Sequence, residues 1–237
     1  MESNIVASLY KNRLLALLPA ADIERLAPHL SPVTLKINRT LHDAGQTVDT
    51  VYFLEDGVCS LVATMESGNT VEVGIIGREG FVGLPAVLGT QASPNRAFMQ
   101  IAGHGYSIKT KVLQDHSEAS KELRLLLQRA VQGLFVQTAQ TAACNRVHEL
   151  EERLARWLLM CQDRVQSDQI HITHEFLSMM LGTRRTSVTV AAGTLSKAGI
   201  IAYSRGLVTI QNREKLENAA CECYRAVQAE YLRLGLF

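Results

Sequence analysis

The side chains best suited to recognising another molecule lie in residues 183–199, which read TRRTSVTVAAGTLSKAG. Apolar residues recur in this stretch at helical spacing, so one face of the predicted helix would pack inward. The opposite face carries a group of polar and basic side chains, namely Arg184, Arg185, Thr186 and Thr189. An arginine there can donate two hydrogen bonds to guanine, and a threonine can contact a thymine methyl group. The spacing therefore predicts a helix that reads base edges in a DNA groove.

A second helix is predicted directly before this one. Thr173 is expected to cap it, and Gly182 is expected to end it in a tight turn. Thr183 would then open the reading helix. Both Thr173 and Thr183 are expected to belong to the DNA-binding set. The alternative is an αα-hairpin whose arginines are merely solvated.

Two predicted strands, 200–203 and 207–210, follow the reading helix and are joined by a turn that contains Arg205. Helix, short turn, helix and β-hairpin form the outline of a winged helix-turn-helix. Lys197 and Arg205 occupy the positions where phosphate contacts are expected.

Residues 33–109 show a different pattern, in which short β-prone runs alternate with glycines. The predicted strands are 33–37, 50–54, 58–64, 71–76, 97–101 and 106–108. Many short strands with glycine turns are typical of a sandwich or a roll. We therefore predict an α+β protein whose residues 1–111 form a jelly-roll-like β-roll with short leading helices.

A long helix is predicted after the roll, because residues 117–164 contain no proline and one glycine. A coiled-coil-like seam recurs at three- and four-residue steps and consists of Leu123, Leu127, Ala130, Leu134, Gln137 and Thr141. A helix of this length is expected to bury one face against a second copy of the chain. We assign 112–147 to a dimerisation helix and 148–237 to the winged helix-turn-helix with an additional C-terminal helix.

Composition bounds the class of protein. The chain has 237 residues, 47% of them hydrophobic, and a formal net charge of +1. It has no apolar run of about 18 residues, so no membrane span is expected, and no signal peptide is expected either. Five scattered cysteines fit a reducing cytoplasm. The near-zero charge is an average, because residues 168–213 hold five basic and two acidic side chains.

Three stretches together resemble the CRP/FNR family of bacterial transcription regulators: LHDAGQTVDTVYFLEDGVCSLV, GREGFVGLPAVLG and THEFLSMMLGTRRTSVTVAAGTLSKAGII. The resemblance runs from about Pro28 to Ile210. It implies a cytoplasmic homodimer that binds a pseudo-palindromic site on double-stranded DNA and contacts RNA polymerase. It also implies that a small-molecule effector, or the apo state itself, sets the spacing of the two reading helices.

The reading helix departs from the family pattern. Members often present an arginine, a glutamate and a second arginine, where this chain has Arg185, Thr186 and Val190. A carboxylate accepts a hydrogen bond from cytosine and threonine does not replace it in that role, so the DNA half-site is expected to differ from the family consensus.

The resemblance places an effector pocket at Gly83, Leu84, Arg96, Ala97 and Thr138. In cAMP-binding members a glutamate at the position of Leu84 accepts a hydrogen bond from the ribose hydroxyl. A leucine leaves that hydroxyl unsatisfied, at a cost of about 1–3 kcal/mol. High-affinity cAMP binding is therefore not expected.

No metal, haem or iron–sulfur cofactor is expected from the sequence. The chain has no cysteine before Cys59, whereas oxygen-sensing members carry an N-terminal cysteine cluster. Cys221 and Cys223 fall on a presumed helix, where side chains two positions apart diverge and chelate poorly. Cys144 is interpreted as an ordinary packing residue.

Enzymatic activity is not expected, because the chain carries no zinc-protease, phosphate-loop or nucleophile-elbow motif. A cyclic-nucleotide-binding regulatory module without a DNA role is the main alternative. It leaves the pattern over residues 173–210 unexplained.

Overall fold

The computed structural model describes residues 10–237, so the start of the predicted leading helices lies outside the described residues. Helices α1 (Arg13–Leu17) and α2 (Ala20–Leu26) precede the roll. Asn12 caps α1, and its amide group donates hydrogen bonds to two backbone carbonyls of the roll. This buried side chain fastens the leading helices to the roll.

The roll is built from two antiparallel sheets, as the glycine-punctuated pattern predicts. Its strands are β1 (Ser31–Leu35), β2 (Thr40–His42), β3 (Thr50–Leu54), β4 (Val58–Thr64), β5 (Thr70–Ile76), β6 (Arg96–Ile101) and β7 (Gly103–Lys109). The sheet orders are β1-β7-β3 and β2-β6-β4-β5, and a one-turn helix, α3 (Pro85–Leu88), precedes β6. Strand β2 was not predicted, because three residues carry too little periodicity to identify.

The predicted helix over 112–147 is two helices, α4 (Thr110–Ala119) and α5 (Lys121–Val147). Ser120 interrupts it with extended backbone angles, and its hydroxyl caps α5 by accepting a hydrogen bond from the Leu123 amide. A serine that bonds to nearby backbone competes with continued helix, so this break is a local effect of the side chain.

The predicted seam of the long helix faces the interior of the same chain, which corrects its assignment to a dimer contact. Five of its six members are buried against the roll and the C-terminal helix, and Thr141 is half-buried; the set is Leu123, Leu127, Ala130, Leu134, Gln137 and Thr141. A second set at the same spacing is exposed instead: Leu125, Gln128, Gln132, Phe135, Ala139 and Ala142. Heptad spacing alone does not distinguish these two faces.

The C-terminal part begins with α6 (Leu150–Val165), after a break at His148 and Glu149. It continues with β8 (Gln169–His171), α7 (His174–Met180), α8 (Arg185–Lys197), β9 (Ile201–Ser204), β10 (Leu207–Ile210), α9 (Arg213–Ala219) and α10 (Cys223–Arg233). Strands β8, β10 and β9 form a third antiparallel sheet. The single C-terminal helix expected after Asn212 is thus two helices, because residues 220–222 leave the helical path.

The C-terminal domain packs on the roll through buried polar contacts. Trp157 of α6 donates a 2.8 Å hydrogen bond to Glu72 of β5, and Ser60 donates to the same carboxylate. The Arg164 guanidinium lies 2.8 Å from Glu79, with both side chains 1% exposed. Burial raises the pKa of Glu72 to about 7, although its hydrogen bonds oppose the shift.

None of the helices among residues 10–237 has the length and apolar character that a membrane span requires.

Candidate nucleic-acid interface

Helix α8 is seated by a narrow apolar face. Val188, Ala191, Ala192 and Leu195 are buried against the rest of the C-terminal domain. Two adjacent alanines let α8 lie close to α6, because small side chains permit close approach of helix backbones. The helix is therefore held firmly along its inner side.

The outer face of α8 carries most of the side chains that the sequence singled out. Arg184, Arg185, Thr186, Thr189 and Lys197 are all exposed. The first helical residue is Arg185, with Arg184 at the N-cap position, so the expectation that Thr183 opens the helix is wrong. Thr183 belongs to the preceding turn, where its amide donates a hydrogen bond to the Ser178 carbonyl.

Thr173 is the N-cap of α7, as predicted. Its hydroxyl accepts a 3.2 Å hydrogen bond from the Phe176 amide. The hydroxyl is thus engaged within the protein, and its role is to orient α7 beneath the reading helix.

Thr189 is fixed by a contact that sequence reasoning missed. Its hydroxyl donates a 3.0 Å hydrogen bond to the Arg185 carbonyl and lies 3.0 Å from His174 Nδ1. Because the hydroxyl has a single hydrogen, donation to the Arg185 carbonyl goes together with the His174 tautomer that carries its proton on Nδ1. His174 also stacks on Tyr203 at 4.0 Å. An isolated histidine gives no sequence signal for this role.

His174 links α7, α8 and the wing as a neutral ring. Burial lowers its pKa, and the nearby Arg185 charge lowers it further. A neutral imidazole adds no positive charge to the surface, so it acts by holding Thr189 and Tyr203 in place.

Arg185 is available to bind a partner. Its nearest acidic group is Glu175, at 4.0 Å, and the two side chains are 70% and 67% exposed. Exposed ion pairs of this kind contribute about 0–1 kcal/mol, so the guanidinium is released at little cost.

The middle of the outer face is apolar and small. Val190 is 66% exposed, which is unusual for a valine inside a helix and suits contact with a thymine methyl group. A Cβ atom at Gly193 would meet no neighbouring atom of the described chain within 4 Å. The fold therefore does not require glycine there, although glycine weakens a helix.

Arg205 stands at the tip of the wing in a left-handed conformation, with φ of +49°, followed by Gly206 at +80°. Two left-handed residues form the tight turn that the twist of a two-stranded ribbon prefers. Arginine is uncommon in this conformation, so its side chain is kept there at some cost in stability.

A cleft of about 940 Å³ separates the start of the reading helix from the roll. The β4–β5 hairpin forms one side, and residues of the α7–α8 turn form the other. At Gly182, with φ of +59°, a Cβ atom would lie 3.3 Å from Val71 of the hairpin. The roll therefore stands directly beside the end of α8 that would enter a DNA groove.

The predicted effector residues do not converge on one cavity. Arg96 is exposed at the start of β6, where it donates a 2.7 Å hydrogen bond to Thr40 and approaches Asp43. Leu84 lines a cavity of about 10 Å³ beside Leu134 and Tyr231, which is room for no more than about one water molecule.

The other three effector positions are placed in packed surroundings. Gly83 and Ala97 are buried in the roll. Thr138 lies on α5 against Gly74, where a Cβ atom would be 3.4 Å from its hydroxyl. Gly83 and Ala97 thus belong to the interior of the roll, and Thr138 to the contact between the roll and the long helix.

One group of metal-ligand side chains contradicts the reasoning from the sequence. Cys221 and Cys223 do not diverge, because Cys221 lies in the non-helical turn between α9 and α10 and Cys223 is the first residue of α10. They meet Cys144 and His148, and the four ligand atoms lie within 4.8 Å of one another. Cys144, expected to be a packing residue, is buried and also lies in this group of candidate ligands.

Comparisons with known proteins agree with this architecture. Residues 32–116 match the cyclic nucleotide-binding domain model, and residues 152–219 match the Crp-like helix-turn-helix domain model. The global nitrogen regulator of Synechocystis is 23% identical over 207 residues, which cover 81% of this chain and 91% of that protein.

Two solved structures show the same fold. A CRP-family transcriptional regulator from Thermus thermophilus has a TM-score of 0.67 at 20% identity, covering 79% of this chain and 96% of that one. The c-di-GMP responsive global regulator CLP from Xanthomonas campestris has a TM-score of 0.67 at 16% identity, covering 81% and 99%.

Proposed function

The chain belongs to the CRP/FNR family of transcription regulators, and from this premise we propose that it binds a pseudo-palindromic operator as a homodimer. The observation that carries the proposal is the outer face of α8. Arg185, Thr186, Thr189 and Val190 are exposed together on a helix whose inner face is buried. The chain acts in the cytoplasm, where it contacts RNA polymerase at the promoter.

Each exposed residue has a distinct part in binding. Arg185 donates two hydrogen bonds to guanine, and Val190 contacts a thymine methyl group. Lys197 and Arg205 neutralise phosphates on either side of the groove. Thr186 stands where family members often have a glutamate that accepts a hydrogen bond from cytosine. The half-site therefore lacks the cytosine that such a glutamate would read.

The dimer forms through the exposed face of α5. Leu125 and Phe135 are 40% and 67% exposed there, and the set from Leu125 to Ala142 spans about 26 Å of helix at 1.5 Å per residue. Four of the six side chains in this set are apolar and two are glutamines. Apolar side chains exposed at coiled-coil spacing support burial against the same helix of a second copy.

Control is exerted by the position of the DNA-binding domain. The contacts of Trp157 and Arg164 with the roll favour the docked arrangement, in which the β4–β5 hairpin stands beside α8. An effector that loosens these contacts would free α8 to enter a groove. High-affinity cAMP binding is not expected, because Leu84 offers no acceptor for the ribose hydroxyl and the cavity beside it is about 10 Å³.

Selection of genomic DNA fragments tests the proposal, followed by affinity measurements on the selected operator and a scrambled duplex at fixed salt. Arg185→Ala is expected to weaken operator binding roughly 10- to 100-fold per half-site, from about 1–3 kcal/mol per bidentate contact. Lys197→Ala is expected to weaken both duplexes equally and reduce the salt slope. Arg39→Ala, an exposed arginine on the roll, is the control.

The alternative function, a nucleotide-binding module without a DNA role, predicts no enrichment of any fragment. Retention of the operator preference by Arg185→Ala would contradict the assignment of the reading helix.

The dimer is tested by sedimentation of Phe135→Glu, which is expected to be a monomer that binds the operator weakly. Leu88→Glu is the control, since Leu88 is also exposed, at 57%, but lies on the roll. A Phe135→Glu variant that remains dimeric would rule out this face.

A further inference from the structure

The ends of two distant segments bring three cysteines and a histidine together. Cys144 Sγ lies 3.5 Å from Cys221 Sγ, and Cys223 Sγ lies 3.5 Å from His148 Nδ1. All four ligand atoms are within 4.8 Å of one another. We propose that these four side chains bind one thiophilic divalent cation of the zinc class in a tetrahedral site.

The distances match what a tetrahedral zinc ion requires. With Zn–S near 2.3 Å and Zn–N near 2.0–2.1 Å, neighbouring ligand atoms stand about 3.5–3.8 Å apart. The shortest separations between the ligand atoms fall at the lower edge of this range. Small side-chain adjustments are therefore enough to admit the ion.

The backbone around the site explains how the ligands converge. His148 follows the last residue of α5, and its amide still donates to the Cys144 carbonyl, so the two side chains lie one turn apart. Residues 220–222 break the path between α9 and α10, which turns Cys221 and Cys223 toward that helix end. Two pairs of ligands from separate segments is the usual plan of a structural zinc site.

Burial sets these cysteines apart from the apolar cores. Cys144, Cys221 and Cys223 are 0%, 4% and 1% exposed and form a buried cluster of their own. The His148 side chain is 14% exposed. Four buried protein ligands are expected of a structural zinc site. A catalytic zinc site instead has three protein ligands and leaves the fourth position open.

The partners behind the ligands are an independent observation. Glu222 Oε2 lies 3.1 Å from His148 Nε2, while Nδ1 faces Cys223 Sγ and is the atom placed to bind the ion. A carboxylate behind a histidine in this way is the arrangement that orients histidine ligands of zinc. Gln140 lies 3.1 Å from Cys223 Sγ and can donate to a thiolate there.

Positive charge is also close to the site. Three thiolates and a divalent cation carry a net charge of about −1. Arg156 is buried on α6, its guanidinium donates to Thr141 one turn before Cys144, and its Nε has no partner among the described residues. The positive charge of Arg156 would offset the net negative charge of the occupied site.

The location gives the ion a structural consequence. One pair of ligands lies at the junction between α5 and α6, which joins the long helix to the DNA-binding domain. The other pair lies between α9 and α10. An occupied site would fasten the C-terminal helix to this junction. The inference does not depend on DNA binding.

The test uses the full chain purified with a reductant and without a chelator. Elemental analysis is expected to find one zinc per chain. After zinc removal, added cobalt(II) is expected to give the strong visible absorption of a tetrahedral thiolate complex, and zinc is expected to abolish that absorption. Zinc is also expected to raise the Tm of the apo protein.

Variants locate the site. Cys223→Ser and His148→Ala are expected to lose stoichiometric zinc, whereas Cys161→Ser, which changes a buried cysteine outside the site, is expected to keep it. Glu222→Gln alters an exposed side chain behind His148 and is expected to weaken zinc affinity about 10- to 100-fold in competition with a chromophoric chelator.

Three results would overturn the proposal. The folded, reduced wild-type chain could fail to bind zinc or cobalt. Cobalt absorption could persist in Cys223→Ser. A Cys144–Cys221 disulfide, found by mass spectrometry, could be the stable state of a reduced-buffer preparation that binds no metal. The wild-type cobalt measurement decides the matter even where a variant fails to fold.

Discussion

The C-terminal domain has two polar faces whose ion pairs differ in burial and in separation. On its outer face Arg185 lies 4.0 Å from Glu175, and both are about two-thirds exposed. On its inner face Arg164 lies 2.8 Å from Glu79, and both are almost completely buried. Exposed, loosely paired charge is free to bind a partner, whereas buried paired charge holds the domain where it is.

The largest expected effect comes from breaking the inner pair. Glu79→Gln leaves the Arg164 charge buried without compensation, which is expected to cost about 3–5 kcal/mol of the free energy of unfolding. Urea denaturation measures the loss. Glu175→Gln removes the outer pair and is expected to change stability by less than about 1 kcal/mol. Equal losses of unfolding free energy in Glu79→Gln and Glu175→Gln would contradict the proposed difference between the buried and the exposed pair.

The outer face was predictable because its residues are contiguous and follow a helical period. Arg185, Thr186 and Thr189 could be placed on the exposed face of the helix from spacing alone. The strands of the roll could be predicted from their glycine turns. The cap by Thr173 was equally local. Local rules are sufficient where a surface is formed by consecutive turns of one helix.

The inner contacts and the cysteine site were not predictable in the same way. Glu72 and Trp157 are 85 residues apart, and Cys144 and Cys221 are 77 apart. The sequence from Asn212 onward has helical periodicity, so nothing local signals the turn that brings Cys221 and Cys223 together. That turn arises because α9 packs on α6 and α10 packs on α5.

A pH-dependent effect separates the faces further. Because the pKa of Glu72 is raised from 4.5 to about 7, the fold favours its protonated form. Its contribution to the free energy of unfolding is therefore greatest below about pH 4.5, falls as pH rises to about 7, and stays constant above that. The fall amounts to roughly 3 kcal/mol. Arg156 and Arg164, the cations that face Glu72, reduce the shift.

Glu72→Gln is expected to remove this part of the pH dependence. Gln keeps an acceptor for Trp157 and a donor for Ser60. Urea midpoints of the wild type and the variant, compared at about pH 5 and about pH 8, measure the change. An identical pH profile in the two proteins would show that Glu72 does not titrate in this range.

The wing offers a smaller test of the outer face. Arg205→Asn puts a residue suited to left-handed backbone at φ of +49° before Gly206 and is expected to stabilise the protein by about 1 kcal/mol. On the proposed interface the same change would remove a phosphate contact, so DNA affinity is expected to fall for all sequences, with a shallower salt slope. Thermal unfolding and binding titrations at two salt concentrations measure both effects. A gain in stability without loss of affinity would remove Arg205 from the interface.

The smallest effect concerns Gly193, and it tests whether the outer face was shaped for a partner. Alanine is compatible with the helix there and meets no atom of the described chain within 4 Å, so Gly193→Ala is expected to raise stability by about 0.5–1 kcal/mol. On the bound duplex the added methyl group would lie between α8 and the groove floor, so operator affinity is expected to fall. Ala198→Gly, just past the end of α8, is the matched control for glycine effects away from the outer face. If Gly193→Ala stabilises the protein and leaves operator affinity unchanged, the glycine is not there for close approach to DNA.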